Sequence, residues 1–220
     1  MAAEPESARG GLRERKKQQT RDALTLAAIR QITERGWAEV SIEDIAAEAD
    51  VSVRTFRNYF SGKAEAIAAR HLDRMRRIAG ALRDRPAAEP LWEAVAASVR
   101  AQFVPGTEGE RDRVPDPRQL DAIRLMLAEP AVRGEVLKAD ALAEAELAEA
   151  VGERTGTRPA RDIYPKLVAA AAGGATATAI EHWLRADPPV PLGPLLDEVF
   201  ARLAAGLPVP AAADEGERKQ

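Results

Sequence analysis

What most constrains the fold of this chain is the stretch 41–60, in which two short helical segments are each opened by a serine. Ser41 and Asp44 form the S-x-x-D variant of a capping box ahead of Ile42, Ile45 and Ala46. The serine oxygen can accept from a free first-turn N–H while the acid reaches back to the serine's own N–H. The first segment closes at Ala49-Asp50-Val51, and Ser52 caps the next, from Val53 to about Phe60. Two short helices joined by so tight a turn have the length and spacing of a helix-turn-helix, whose second helix is stiff and narrow enough to enter a major groove. The same pattern also describes an amphipathic pair that serves only packing in a larger bundle.

Elsewhere apolar residues recur at three- and four-residue steps among strong helix formers, and no strand pattern is present. A first helix is predicted from about Leu12 to Arg35, with Leu24, Ala27, Ala28 and Ile32 as its apolar stripe and Gly36 as a left-handed stop. Another starts around Ser61-Gly62-Lys63 and carries Ile67, His71, Met75, Ile78 and Leu82 before Pro86 and Pro90 end it. Longer, Ala-rich helices are expected over 90–104, 117–129, 131–154, 160–186 and 191–206, with a flexible loop from Pro105 to Pro117. The expected fold class is all-α: an N-terminal three-helix helix-turn-helix domain followed by a larger C-terminal helical bundle. It divides into a disordered basic-leading arm (1–11), the helix-turn-helix unit (12–62), a connecting helix (63–85), a second helical domain (86–207) and a disordered tail (208–220).

The net charge of −3 disguises an asymmetry. Residues 9–77 hold 15 Lys/Arg against 10 Asp/Glu, whereas residues 78–220 hold 17 against 23. A basic first third followed by an acidic remainder suits a chain that touches nucleic acid at one end, although chance scatter of solvated charges gives the same counts. Cysteine is absent and only His71 and His182 are imidazoles, so no metal site and no disulfide are expected. Met1 to Gly10 carry Glu4 and Glu6 without an apolar run, and the longest apolar stretch, Leu167 to Ile180, is interrupted by Gly173, Gly174, Thr176 and Thr178. Neither a secretory signal nor a membrane span is expected, which points to the cytoplasm. No HExxH, GxSxG, P-loop or dinucleotide fingerprint appears, so neither an enzyme nor a cofactor is expected.

Within the motif, Val51 and Ile45 can set the angle between the two helices, and Phe56 and Phe60, one turn apart, can anchor the second. That leaves Val53, Arg54, Thr55, Arg57, Asn58 and Tyr59 on the outside. Arginine can fork onto guanine, asparagine onto adenine, threonine and valine can meet thymine methyls, and tyrosine can reach phosphate. Ser41, Ser52 and Lys63 stand at helix N-termini, where backbone N–H groups favour phosphate. The basic residues Arg9, Arg13, Arg15, Lys16, Lys17 and Arg21 can extend along the DNA backbone or into a minor groove, or form a solvated helix start.

The run TLAAIRQITERGWAEVSIEDIAAEADVSVRTFRNYFSGKAEAI resembles the N-terminal domain of the TetR family throughout. The likeness lies in the G-W ending of the first helix, the S-I-E-D-I-A opening of the second, the A-x-V-S turn, T-F-x-x-Y-F in the third and the lysine that starts the fourth, and it covers about residues 12–70. The resemblance implies that Ser41, Thr55, Tyr59 and Lys63 touch phosphates while Val53, Arg54 and Asn58 face base edges. Two departures stand out: Asp50 replaces the usual turn glycine, which a left-handed turn tolerates, and Arg57 replaces a common aromatic residue.

For the C-terminal region the resemblance implies dimerisation and effector binding. Ala169, Gly173 and Ala177 lie four apart, as do Ala170, Gly174 and Thr178, giving a smooth helix side. With Leu195 and Val199 of the last helix, Ala169, Gly173 and Ala177 are the expected interface with a second copy, the alternative being burial within one subunit. Candidate effector-pocket residues are Trp92, Val95, Phe103, Ile123, Met126, Leu127, Tyr164, Val168, Thr178 and His182, a set that also reads as ordinary core. The stretches EPLWEAVAASVRAQF and IEHWLRAD resemble the effector domain of actinobacterial regulators of the mycofactocin-associated, acyl-CoA-responsive type, from which no ligand is inferred here. The expected partners are double-stranded operator DNA, a second copy of the chain and a small-molecule effector, with no membrane. The expected function is a repressor released by its effector; a transcriptional activator of the same fold and a protein-interaction module without DNA binding are the alternatives.

Overall fold

The computed structural model describes residues 6–104, 106 and 113–209, and among them every regular element is a helix. In chain order these are α1 (Glu6–Arg35), α2 (Ile42–Glu48), α3 (Val53–Tyr59), α4 (Lys63–Asp84), α5 (Leu91–Phe103), α6 (Pro117–Ala128), α7 (Pro130–Thr155), α8 (Ile163–Arg185) and α9 (Leu192–Ala204). No helix among the described residues is long and apolar enough to cross a membrane.

The first helix departs from expectation by starting at Glu6 rather than near Leu12. Residues 6–11 are its first turns and not part of a disordered arm. Arg, Glu, Lys and Gln on the C-terminal side of Gly10-Gly11 carry little helix penalty, and Arg15 Nε donates to the Gly11 carbonyl at 3.3 Å. Most of the loop from Pro105 to Pro117 and all of the tail beyond Val209 lie outside the described residues.

Two apolar cores hold the chain together. One gathers Leu24, Ala28 and Ile32 of α1, Ile45 of α2, Phe56 and Phe60 around α3, and Ile67 of α4. It also takes in Met126 of α6 and Val132 of α7, so the N-terminal unit is plugged from the other domain. The second joins Ile78 and Leu82 of α4, Val95 and Val99 of α5, Leu147 and Val151 of α7, Val168 and Ala172 of α8, and Leu196 and Phe200 of α9. Each fully buried Leu, Ile, Val or Phe contributes about 1.5–3 kcal/mol through the water it gives up.

The helix α4 runs through both cores, packed along most of its length on α7. Their solvent edges are joined by His71 with Asp140 at 2.6 Å, Arg76 with Glu146 at 2.7 Å and Arg83 with Glu153 at 2.7 Å. Arg154 closes the far end by donating to the carbonyls of Arg85, Pro86 and Glu89 at 3.3, 2.6 and 2.7 Å. At the C-terminus of α7, Gly156 takes the left-handed conformation with φ 68° and stops the helix.

Candidate nucleic-acid interface and internal cavity

The local chemistry of α2 and α3 follows from their first residues. Ser41 Oγ accepts from the Asp44 N–H at 3.0 Å and the Ser41 N–H donates to Asp44 Oδ2 at 2.9 Å, completing the capping box. Those bonds from Ser41, with Arg35 nearby, hold the Asp44 carboxyl below its ordinary pKa. Ser52 caps α3 by accepting from the Thr55 N–H at 3.0 Å, and its hydroxyl pairs with that of Thr55 at 2.9 Å. Between the helices Asp50 has φ 52°, the left-handed geometry that the turn requires. Gly36 ends α1 at φ 91°.

Phe56 is fully buried and Phe60 nearly so, their ring centres 5.8 Å apart. This fixes which flank of α3 is free. Arg54, Arg57 and Asn58 are exposed, whereas Val53, Thr55 and Tyr59 are half-buried, with Val53 and Tyr59 packed against the first core. Neither Arg54 nor Arg57 joins an ion pair among the described residues, and Ser41 and Ser52 lie exposed at the same end of the molecule as their helices. Two guanidinium groups and one side-chain amide on one short rod can reach base edges and phosphates together.

Lys63 is half-buried and held by the loop 36–40. Its Nζ donates to the carbonyls of Trp37 and Val40, the latter at 2.8 Å, and stands 4.2 Å from the centre of the Trp37 ring. Burial lowers its pKa below the ordinary ammonium value. The reason is local: the loop 36–40 leaves carbonyls without backbone donors, and the first residue of α4 is the cation within reach. Arg21 is likewise drawn inward, paired with Asp73 and lying over Phe60 at 5.6 Å from the ring centre. Arg13, Arg15, Lys16 and Lys17 remain exposed on α1, and the side chain of Arg9 lies outside the described residues.

In the C-terminal region α4, α5, α6, α7 and α8 border a half-open cavity of about 1950 Å³ that also reaches Leu26 and Ile29 of α1. Of the candidate pocket residues, Phe103, Ile123, Met126 and Leu127 line it, Met126 also belonging to the first core. Trp92, Val95 and Val168 pack in or against the second core instead, away from the cavity wall. Tyr164, Thr178 and His182 are exposed, and the Thr178 hydroxyl is spent on the Gly174 carbonyl at 2.9 Å.

The two smooth rows of α8 are not cleanly separated in the structure. Ala169, Gly173 and Ala177, expected at the interface, line the cavity, with Ala169 buried. Ala170 and Gly174 border the cavity as well, and Ala170, Gly174, Ala177 and Thr178 are all exposed, continuing a strip begun by Ile163 and Leu167, which are 80% and 61% exposed. An added Cβ at Gly173 or Gly174 would meet nothing within 4 Å, so both rows border open space. Leu195 and Val199 are half-buried against the second core.

Sequence reasoning missed the cavity face of α4, treated only as a connector. Arg70, His71, Arg74, Met75 and Ile78 all line the cavity. The available signal was the spacing of Arg70, Arg74 and Arg77 at four and three residues, which sets a cationic row beside an apolar one.

Comparison with known proteins adds two family matches. Residues 24–69 match the description "Bacterial regulatory proteins, tetR family", and residues 89–208, more than half of the chain, match "MftR C-terminal domain". The HTH-type transcriptional regulator TcmR of Streptomyces glaucescens is 29% identical over 178 residues, covering 80% of this chain and 79% of that one. Among solved structures, the fatty acid degradation regulator FadR of Bacillus halodurans is 19% identical with a TM-score of 0.53, covering 86% of this chain and 96% of that one. SmeT, the repressor of the Stenotrophomonas maltophilia multidrug efflux pump SmeDEF, is 20% identical with a TM-score of 0.52, covering 90% and 98%. These two structures share the fold.

Proposed function

The chain belongs to the TetR family of bacterial transcriptional regulators, and from that premise we propose that it is a cytoplasmic, ligand-responsive repressor that binds a pseudo-palindromic operator as a homodimer. The observation that carries this reading is the free flank of α3, where Arg54, Arg57 and Asn58 stand exposed on a helix anchored from behind by Phe56 and Phe60. Arg54 and Asn58 suit base edges; Arg57, Tyr59 and the serine-capped N-termini of α2 and α3 suit the phosphates that set register. The exposed row Ile163, Leu167, Ala170 and Gly174 supports pairing of α8, with α9 beside it, against a second copy.

In such a dimer the two α3 helices meet successive major grooves about 34 Å apart. An effector in the cavity favours a spacing that no longer fits, and differential affinity of about 1–3 kcal/mol between the two conformations is enough for the coupling. Selection of bound sequences from a random duplex pool tests the proposal. A two-fold symmetric consensus, with affinity that falls steeply as salt rises, is the expected result. Failure to enrich any sequence, or salt-independent retention, overturns it.

A further inference from the structure

The buried end of α3 carries one polar fastening. Phe60, 2% exposed, is the residue at which α3 stops and the chain turns through Ser61 and Gly62 into α4. Arg21 of α1 lies over its ring, the guanidinium carbon 5.6 Å from the centre, close enough for the electron-rich face to hold the cation. The N–H edge of the same group is bonded to Asp73, halfway along α4. One planar side chain thus joins the ends or middles of three helices. The pair is 21% and 20% exposed, so salt screens it less than a surface pair.

The acid in this pair stands among cations. Between Ala66 and Arg83, α4 carries five arginines, at 70, 74, 76, 77 and 83, and Asp73 is its sole acid. Arg70, Arg76 and Arg77 stand three or four residues from Asp73, the spacing at which a helix pairs its own charges. Arg76 is instead engaged by Glu146 and Arg77 by Gln102, while Asp73 reaches across 52 residues of chain to Arg21. Among the described residues this is the one ion pair between α1 and α4. Asn58 lies two residues before Phe60 on a helix of seven residues. A hydrogen bond to a base edge is made over a window of about 2.7–3.2 Å, so a shift of about half an ångström at the end of so short a rod is enough to lose it.

We propose that Arg21 and Asp73 are positioning residues for operator reading: neither touches DNA, and together they set the angle at which α3 presents Arg54 and Asn58. The inference rests on the operator reading of α3 and adds two residues outside the helix-turn-helix to what determines base preference. Simpler accounts predict different signs. If charge alone mattered, losing Asp73 would strengthen DNA binding and losing Arg21 would weaken it, on every sequence alike. If the pair merely braced the fold, both changes would lower Tm and leave the operator affinity of the folded protein as it was. Positioning requires that both changes weaken binding to the operator and leave binding to a scrambled duplex nearly as it was.

The test uses the full chain with Arg21→Met, Asp73→Asn and the two together, at a temperature where circular dichroism shows each to be folded. Fluorescence anisotropy with the selected operator duplex and a scrambled duplex of equal length is read at several salt concentrations. Each single change is expected to weaken operator binding by roughly five- to thirtyfold, with scrambled binding within about threefold of the parent. The double variant should lie within about twofold of the weaker single, since the first change already removes what the second would. The slope of log affinity against log salt should hold. Parental operator affinity in either folded variant, tighter binding by Asp73→Asn, equal losses on both duplexes, or a slope flattened by about 0.9 in Arg21→Met overturns the proposal. Asp73→Asn, close in shape to the parent residue, carries the test if Arg21→Met does not fold. A parent chain that prefers no duplex sequence defeats the operator reading and this inference with it, whereas variants that keep the parent's preference defeat this inference alone.

Discussion

Replacing Lys63 by methionine separates two roles open to a lysine at the start of α4. The structure spends its ammonium on the loop between α1 and α2, with bonds to the Trp37 and Val40 carbonyls and a 4.2 Å approach to the Trp37 ring. Methionine keeps an unbranched stem, so what is lost is the charge and its donors. A hydrogen bond from a charged donor contributes about 1.5–3 kcal/mol, and a cation over a partly exposed ring about 0.5–1 kcal/mol. Ala38 and Glu39 between the two carbonyls are exposed, so water can replace part of what is removed. The expected net loss is therefore about 2–3 kcal/mol, or roughly 5–10 °C in Tm for a chain of this size. Thermal unfolding of the DNA-free protein, followed by circular dichroism, checks this. Operator affinity should fall as well, since the loop sets the entry of α2, but the slope of log affinity against log salt should hold. A Tm within about 1 °C of the parent, together with a salt slope flattened by about 0.9, is the signature of a lost phosphate contact. That pattern would refute the loop-anchoring account.

The turn at Asp50 predicts that Asp50→Gly raises stability by about 0.5–1 kcal/mol, because glycine adopts φ 52° without steric cost, whereas Asp50→Val loses at least about 1–2 kcal/mol; denaturant midpoints distinguish them. At Gly152 an added Cβ would sit 2.7 Å from the Thr157 carbonyl oxygen and 3.1 Å from Pro159 Cδ, so Gly152→Ala should cost about 1–3 kcal/mol by the same measurement. Arg54→Ala and Asn58→Ala should each weaken operator binding by about 1–3 kcal/mol and relax base preference, while Arg57→Ala should weaken all sequences alike; anisotropy titrations with operator and scrambled duplexes separate the cases. Asp44 has its pKa lowered from 3.8 by bonds from Ser41, so its contribution is present above that value and lost as pH falls through the lowered one. The stability gap between the parent and Asp44→Asn should therefore close on acidification, in unfolding curves taken at successive pH.

What could be read from the sequence was decided within a turn or two of chain. Ser41 and Ser52 cap the helices assigned to them, and Gly36 and Asp50 take positive φ, because each of those features is set by a handful of neighbouring atoms. The rows of α8 resisted the same treatment. Ala169-Gly173-Ala177 and Ala170-Gly174-Thr178 differ so little in apolar area that burial energy along the helix gives no sign of which one faces in. Both rows border the cavity, and how far each residue is covered depends on where α4, α6 and α7 stand. Arg74 was hidden for a related reason: it looks like Arg76 and Arg83 until α7 supplies glutamates to those two alone. The bonds of Lys63 were not legible because its partners are carbonyls 23 and 26 residues away, which no local pattern encodes.

The helix α4 begins with Lys63 and carries Arg74 eleven residues later. At about 1.5 Å per residue these side chains are roughly 16 Å apart along one unbroken axis. Tilting such a strut by about 5° about its inner end carries the outer one through about 1.4 Å, more than the spread of lengths over which a hydrogen bond survives. A tilt of α4 driven from the chamber would therefore move the rung to which the first loop is tied, and with it the entry of the reading head.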